Sequence, residues 1–272
     1  MKRLPTPSEV KINCLIFIAV LCAMSGIVYY GKNPSPPESV EQKYLNLSSY
    51  EQSKEKFKDL VLNSEDPEQL DSAYNEFVDD VQSNIAFMER VKSGKDKLFY
   101  SILRKFVEET AQKNKQLDDA MIAVQSPRIL DYALLKREGE FEFQIGVVKN
   151  YIKEATENNE YTLNAILNLN EKLKALGEDS QIYKGSVSVL NITFSRQKPT
   201  LELLGQAHVD YGNHMLEVLE NLKNNKETWL YENDELIIND DAVQTKHNQL
   251  VDSLNGDENK INLLVEKLVQ LI

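Results

Sequence analysis

"IKEATENNEYTLNAILNLNEKLKALG", residues 152–177, decides how the rest of the chain is read. Ile152, Ala155, Asn159, Thr162, Ile166, Leu169, Leu173 and Leu176 recur at alternating spacings of three and four. On a helix of ~3.6 residues per turn, that spacing keeps one stripe facing inward. The segment therefore predicts a long helix over about 140–176, closed by Gly177. Asn159 and Thr162 put a polar stretch in the middle of the stripe. Two arrangements fit: a helix of an antiparallel bundle, or a coiled coil in which Asn159 fixes the register. The bundle helix is the simpler of the two, and Asn159 is a candidate contact residue.

The flanking sequence repeats the helical pattern. Asp66-Pro67 with Gln69 has the spacing of a capped helix start, and the helix should run to about Lys92 before Ser93-Gly94. Leu98, Phe99, Ile102, Leu103 and Phe106, then Leu117, Met121 and Val124, predict a helix over about 95–124. Ser126-Pro127 resembles a further start. Residues 181–198 are ambiguous: Ser186 to Thr193 is rich in β-branched residues, yet no partner strand is evident, so a helix is expected. Pro199-Thr200 should open a separate helix to about Asn225, with Leu204, Ala207, Tyr211, Met215, Val218 and Leu222 on one face. "DELIIND" (234–240) reads as a single extended segment. A helix over about 241–254 should stop at Asn255-Gly256, and Asp257 should cap a last helix carrying Ile261, Leu264, Leu268 and Leu271 inward.

"KINCLIFIAVLCAMSGIVYYGK", residues 11–32, is of another kind. Residues 12–30 hold Ile12, Leu15, Phe17, Val20, Leu21, Ile27, Tyr29 and Tyr30, and as a helix they would span ~28 Å, near the ~30 Å hydrocarbon core of a bilayer. Tyr29 and Tyr30 fall where interfacial aromatics sit, and Lys2, Arg3 and Lys11 precede the run. A retained single-pass anchor with a cytoplasmic N-terminus is the first reading. A cleaved signal, using the apolar core Cys14–Met24 and the small-x-small site Ala23-Met24-Ser25, is the second. A lipoprotein signal is disfavoured by the bulky Leu21 before Cys22. Pro34, Pro36 and Pro37 then make residues 31–39 an extended spacer. The resulting division is a cytoplasmic 1–11, an anchor or signal 12–30, a spacer 31–39 and an acidic helical domain 40–272.

The chain has 31 basic and 43 acidic residues, a net charge of −12. Residues 1–32 contain four Lys/Arg and one Glu, so the remainder carries −15. Such a domain is a poor match for nucleic acid, which demands clustered Lys/Arg. Both cysteines, Cys14 and Cys22, lie in the apolar run, so the domain has no disulfide framework and no thiol nucleophile.

Catalytic and metal patterns are absent from the sequence. His208 and His214 are six residues apart, about 600° around a helix, and His247 is distant. They lack the i, i+4 pairing of zinc sites, and no Glu-x-x-His supports a di-iron bundle. No GxSxG, phosphate-binding loop or GxGxxG occurs. "YENDELIINDD" interrupts its acids with Leu236, Ile237 and Ile238, unlike a calcium loop. No catalytic residue, cofactor or metal ligand is therefore expected. Trp229, the single tryptophan, either plugs the end of the bundle or offers a partner surface.

The last 70 or so residues resemble an uncharacterised family of bacterial envelope lipoproteins (YiaF-like). The resemblance rests on a helix ending before Trp229, on "ELII" at 235–238 and on "TKHNQLVDSL" at 245–254, where His247-Asn248-Gln249-Leu250 stands in place of a Tyr-Asn-x-Leu. It covers about a quarter of the chain and implies an envelope location without an assigned activity.

The fold class expected is all-α: an N-terminal transmembrane helix followed by an elongated antiparallel bundle of six to seven helices. The expected role is that of a non-enzymatic protein of the bacterial inner membrane. Its domain lies in the periplasm, and its partners are the membrane and another envelope protein, with no oligomeric state implied. The alternative is a ligand-binding or sensory bundle, anchored or secreted.

Overall fold

The computed structural model describes residues 47–63, 66–177 and 181–271. The apolar segment 12–30, the residues before it and the spacer 31–39 lie outside the described residues. Among the described residues, no helix is long and apolar enough to cross a membrane.

The described chain is predominantly helical. Its elements are α1 (Leu47–Asn63), α2 (Pro67–Val91), α3 (Gly94–Val124), α4 (Tyr132–Leu135), α5 (Glu140–Leu173), α6 (Gln181–Asn224), β1 (Trp229–Glu232), β2 (Glu235–Ile238) and α7 (Asp241–Gln270). A 3₁₀ turn at Lys174–Leu176 extends α5, and Gly177 ends it with φ of +85°, a conformation costly for residues bearing a Cβ. The heptad-like stripe thus forms the helix expected of it. The start of α2 is capped as its sequence implies: Asp66 Oδ1 accepts from Gln69 N–H at 3.3 Å, and Gln69 Nε2 donates to Asp66 Oδ2 at 2.7 Å.

Four local expectations are corrected. Ser126-Pro127 opens no helix: the chain turns, Leu130 takes φ of +59°, and the short α4 is capped by Asp131, whose carboxylate accepts from Ala133 N–H at 2.9 Å. Residues 181–224 form one 44-residue helix with Pro199 inside it. Proline removes one helical donor. Both Pro199 and Ser195, whose carbonyl loses its partner, are exposed, while Gln197, Thr200 and Leu201 are buried and hold the helix in place. Asn255-Gly256 does not break α7 either, since Leu254 and Asp257 on either side are buried and Gly256 faces open space. Finally, "ELII" has a partner strand. Trp229 pairs with Ile238 and Glu232 with Glu235 in an antiparallel hairpin, so the chain is not purely α.

The chain divides into two compact units. The first combines Gln116–Asn159 and Glu202–Leu264; the second combines the described part of Ile12–Lys115 with Glu160–Leu201 and Val265–Ile272. The first has a core around Met121, Leu135, Tyr151, Leu204, Leu222 and Ile261, all below 3% exposed. The second is centred on Phe57, Phe77, Phe99, Leu103, Leu169 and Leu190. There α1 packs on α2 through Phe57, which stacks on Phe77 at 6.4 Å and tilts against Tyr74 at 6.1 Å. Each large apolar side chain removed from water in this way contributes roughly 1.5–3 kcal/mol.

Candidate functional site

Polar and aromatic chemistry gathers around the hairpin of the first unit. The base of the hairpin is Trp229, only 2% exposed. Its indole N–H donates to Leu222 O at 2.8 Å, answering one of the last carbonyls of α6. Lys136 reaches across from the end of α4, with Nζ 3.7 Å from the ring centroid, and donates to Trp229 O at 2.6 Å and Lys226 O at 3.0 Å. The ammonium sits against the negative end of the α6 dipole and over the face of the ring, both favourable places for a cation. Phe141 meets the indole edge-on at 6.4 Å. Trp229 is thus the plug rather than the exposed partner surface.

A second cluster lies beside it. Tyr132 on α4 contacts Tyr231 on β1 at 6.3 Å and His247 on α7 at 5.8 Å between centroids, and its hydroxyl lies 3.3 Å from His247 Nε2. Burial raises the pKa of Tyr132 and lowers that of His247, so both rings are held neutral. The loop before α4 is pinned by α5. Gln144 accepts from Leu130 N–H at 2.8 Å and donates to Arg128 O at 2.7 Å, which holds Leu130 in its left-handed conformation. Arg128 makes a bidentate pair with Glu140, at 2.9 and 2.8 Å, and stacks over Phe143 at 3.9 Å. That guanidinium, with help from Gln144, holds the Glu140 carboxyl down at about 2.

The hairpin itself has two unlike faces. Trp229, Leu236 and Ile238 are buried on the inner side, where Tyr231 is half-buried. On the outer side, Leu230 stands opposite Ile237 and Glu232 opposite Glu235. Ile237 is 40% exposed. The turn between the strands is Asn233-Asp234, with φ of +53° and +60°, the twist that suits a two-residue hairpin.

Asn159 lies in the same unit and has a different role. It faces Gly205 of α6, where a Cβ would stand 2.8 Å from Asn159 Cβ and closer still to its carboxamide. One heptad further along each antiparallel helix, a Cβ on Gly212 would stand 2.6 Å from Ile152 Cγ1. Two glycines let α5 and α6 approach closely, and the Asn159 side chain fills the space that a Cβ on Gly205 would take. The fully inward polar residue is its neighbour Asn158, 1% exposed.

Each of the three histidines meets another side chain of the first unit. His208 meets Tyr151 edge-on at 6.3 Å, His214 Nδ1 lies 2.6 Å from Asp257 Oδ2, and His247 joins Tyr132. Asp257 therefore links α7 to α6 instead of capping a helix. Among the described residues, no group of three or more His, Cys, Asp or Glu is placed to hold a metal ion. Ile12, Leu15, Phe17, Val20, Leu21, Ile27, Tyr29 and Tyr30, the residues expected to form a membrane segment, lie outside the described residues.

Sequence reasoning missed the hairpin, although Asn233-Asp234 between "WLYE" and "ELII" was its signal. It also missed Lys136 and Tyr132, which act across long sequence separations and leave no local pattern. The first unit is a helical bundle that carries a β-hairpin. No protein-family model, no curated protein and no solved structure matches this chain.

Proposed function

We propose that this chain is a non-enzymatic, single-pass protein of the bacterial envelope that works by contact with another envelope protein. Residues 12–30 anchor it in the inner membrane, residues 31–39 space it from the surface, and the acidic helical domain lies in the periplasm. The resemblance to YiaF-like envelope lipoproteins agrees with that location. The observation that carries the proposal is the charge and apolar pattern. An uninterrupted apolar run follows Lys2, Arg3 and Lys11, and a domain of −15 comes after it. The domain supports a contact role because its histidines and its tryptophan have partners within the chain, while Glu232, Glu235 and Ile237 on the outer face of its hairpin are exposed. The test is a C-terminally tagged full chain, cross-linked in cells and extracted in mild detergent. One dominant envelope protein should co-purify; its absence at native expression would sink the proposal.

A ligand-binding or sensory bundle is the second reading. It is favoured by a depression of about 220 Å³ in the second unit, lined by Phe106, Glu109, Tyr161, Ala165, Asn168, Glu171 and Lys172. Tyr161 shares a hydrogen bond with Thr110 at 2.8 Å there, and Lys172 pairs with Glu109 at 2.9 Å. The volume is below the ~300–1,000 Å³ of most ligand pockets, which ranks this reading second. A solute that raises the melting temperature would reverse the order.

A further inference from the structure

We infer that the outer face of the β1–β2 hairpin is the contact surface, and that it takes a basic segment of a partner protein in which Lys or Arg stands beside an apolar residue. This rests on the contact role proposed above and names where and with what that contact is made.

The physical case begins with the pairing. Glu232 and Glu235 are directly opposite across the hairpin, next to Asp234 in the turn. Like charges in directly opposed positions destabilise a strand pair. Glu232 and Glu235 are both exposed, and their repulsion brings no benefit to this chain alone. On the same face, one pair further from the turn, Leu230 and Ile237 form an apolar step, with Ile237 40% exposed.

A guanidinium or ammonium placed between the two carboxylates converts the repulsion into a bridged pair. The aliphatic stem of that side chain, or an apolar neighbour, covers Ile237. The base beneath is rigid, because Trp229 and Lys136 tie the hairpin to the end of α6 and Tyr132 holds Tyr231. A preorganised surface loses little entropy on binding. The overall charge of −12 favours the same class of partner.

The test is site-specific photo-cross-linking of the full chain in cells. A photoreactive residue is placed at Ile237 and, as a control, at the exposed Leu167 of the second unit. The expected result is an adduct at 237 whose cross-linked peptide is rich in Lys or Arg. Its yield should fall at least about fivefold in the Glu232→Lys/Glu235→Lys double variant, since rim charges govern encounter. Unchanged melting of that variant shows that its fold is intact. Adducts at 167 alone would overturn this surface while leaving the contact role standing. A 237 adduct that is indifferent to charge reversal, or that joins a neutral or acidic peptide, would overturn the basic partner. No adduct at either position would overturn this inference, and loss of the co-purifying partner as well would remove the role on which it rests.

Discussion

The hydroxyl of Tyr151 lies 2.7 Å from Nδ1 of His208, and both side chains are wholly inside the first unit. The pair joins α5 to α6, yet Nε2 of His208 has no partner, so protonation would place an unanswered charge in an apolar core. Burial lowers the His208 pKa from 6.5 to about 3. His247, buried beside Tyr132, is lowered for the same reason.

Stability should therefore decline early on acidification. The unfolded chain takes up protons near 6.5, the folded chain does not until about 3, and the difference favours unfolding across that window. The full loss is on the order of a few kcal/mol. Glu140, whose pKa falls from 4.5 to about 2 beside Arg128, adds a second loss below about 4.5, because its stabilisation is complete only when the unfolded carboxyl is ionised. Denaturant unfolding at several pH values separates the two. His208→Gln should flatten the dependence between pH 6.5 and 4.5, whereas Glu140→Gln should flatten it only below. An unchanged slope in the first variant would contradict the burial argument.

Gly205→Ala should destabilise the protein even though alanine is the better helix former. Overpacking against Asn159 costs ~1–3 kcal/mol, more than the ~1 kcal/mol gained in helix propensity. Adding Asn159→Ala should recover part of the loss, and the coupling between the two substitutions measures the contact. Additive effects would show that the helices do not meet there.

The stripe that made α5 legible also marks its buried face, one residue off at Asn159. Ile166, Leu169, Leu173 and Leu176 are buried as expected, whereas Asn159 is edged toward Gly205 and Asn158 is innermost. Periodicity alone cannot resolve a shift of about 100° between neighbours when both are asparagine. The long α6 was misread for a different reason. Pro199 disfavours a helix interior by ~3 kcal/mol and the β-branched run before it prefers helix only weakly, yet burial of Gln197, Thr200 and Leu201 overrides both. Likewise Asn255-Gly256, a turn signal by composition, is carried through by Leu254, Asp257 and Glu258, all buried. The candidate site was barely legible, because Lys136 and Trp229 are 93 residues apart and Tyr132 and His247 are 115 apart.

Trp229 offers a direct optical readout, being the one tryptophan in the chain. Its native emission should be blue-shifted by burial. Trp229→Ala should cost ~3–5 kcal/mol, while Trp229→Phe should cost less and chiefly report the lost bond to Leu222. Lys136→Met, which keeps a stem but no charge, should alter the emission and lower the melting temperature. Native emission at the wavelength of a solvated indole would contradict the plug.

Asp234→Gly should stabilise the hairpin. Glycine reaches the left-handed turn conformation without the Cβ penalty, and Asn-Gly is the favoured pair in such turns. The same change removes a negative charge beside Glu232 and Glu235. A rise of up to ~1 kcal/mol in unfolding free energy is expected, and a loss would show that Asp234 makes a contact the turn depends on.

The most direct test is the intact mass of a C-terminally tagged chain taken from the membrane fraction, combined with protease treatment of spheroplasts. A chain retaining residues 1–25, held in the membrane, with its domain digested from outside, is the expected result. A soluble chain beginning near Ser25, or a domain protected from the protease, would contradict the membrane-anchored periplasmic contact protein.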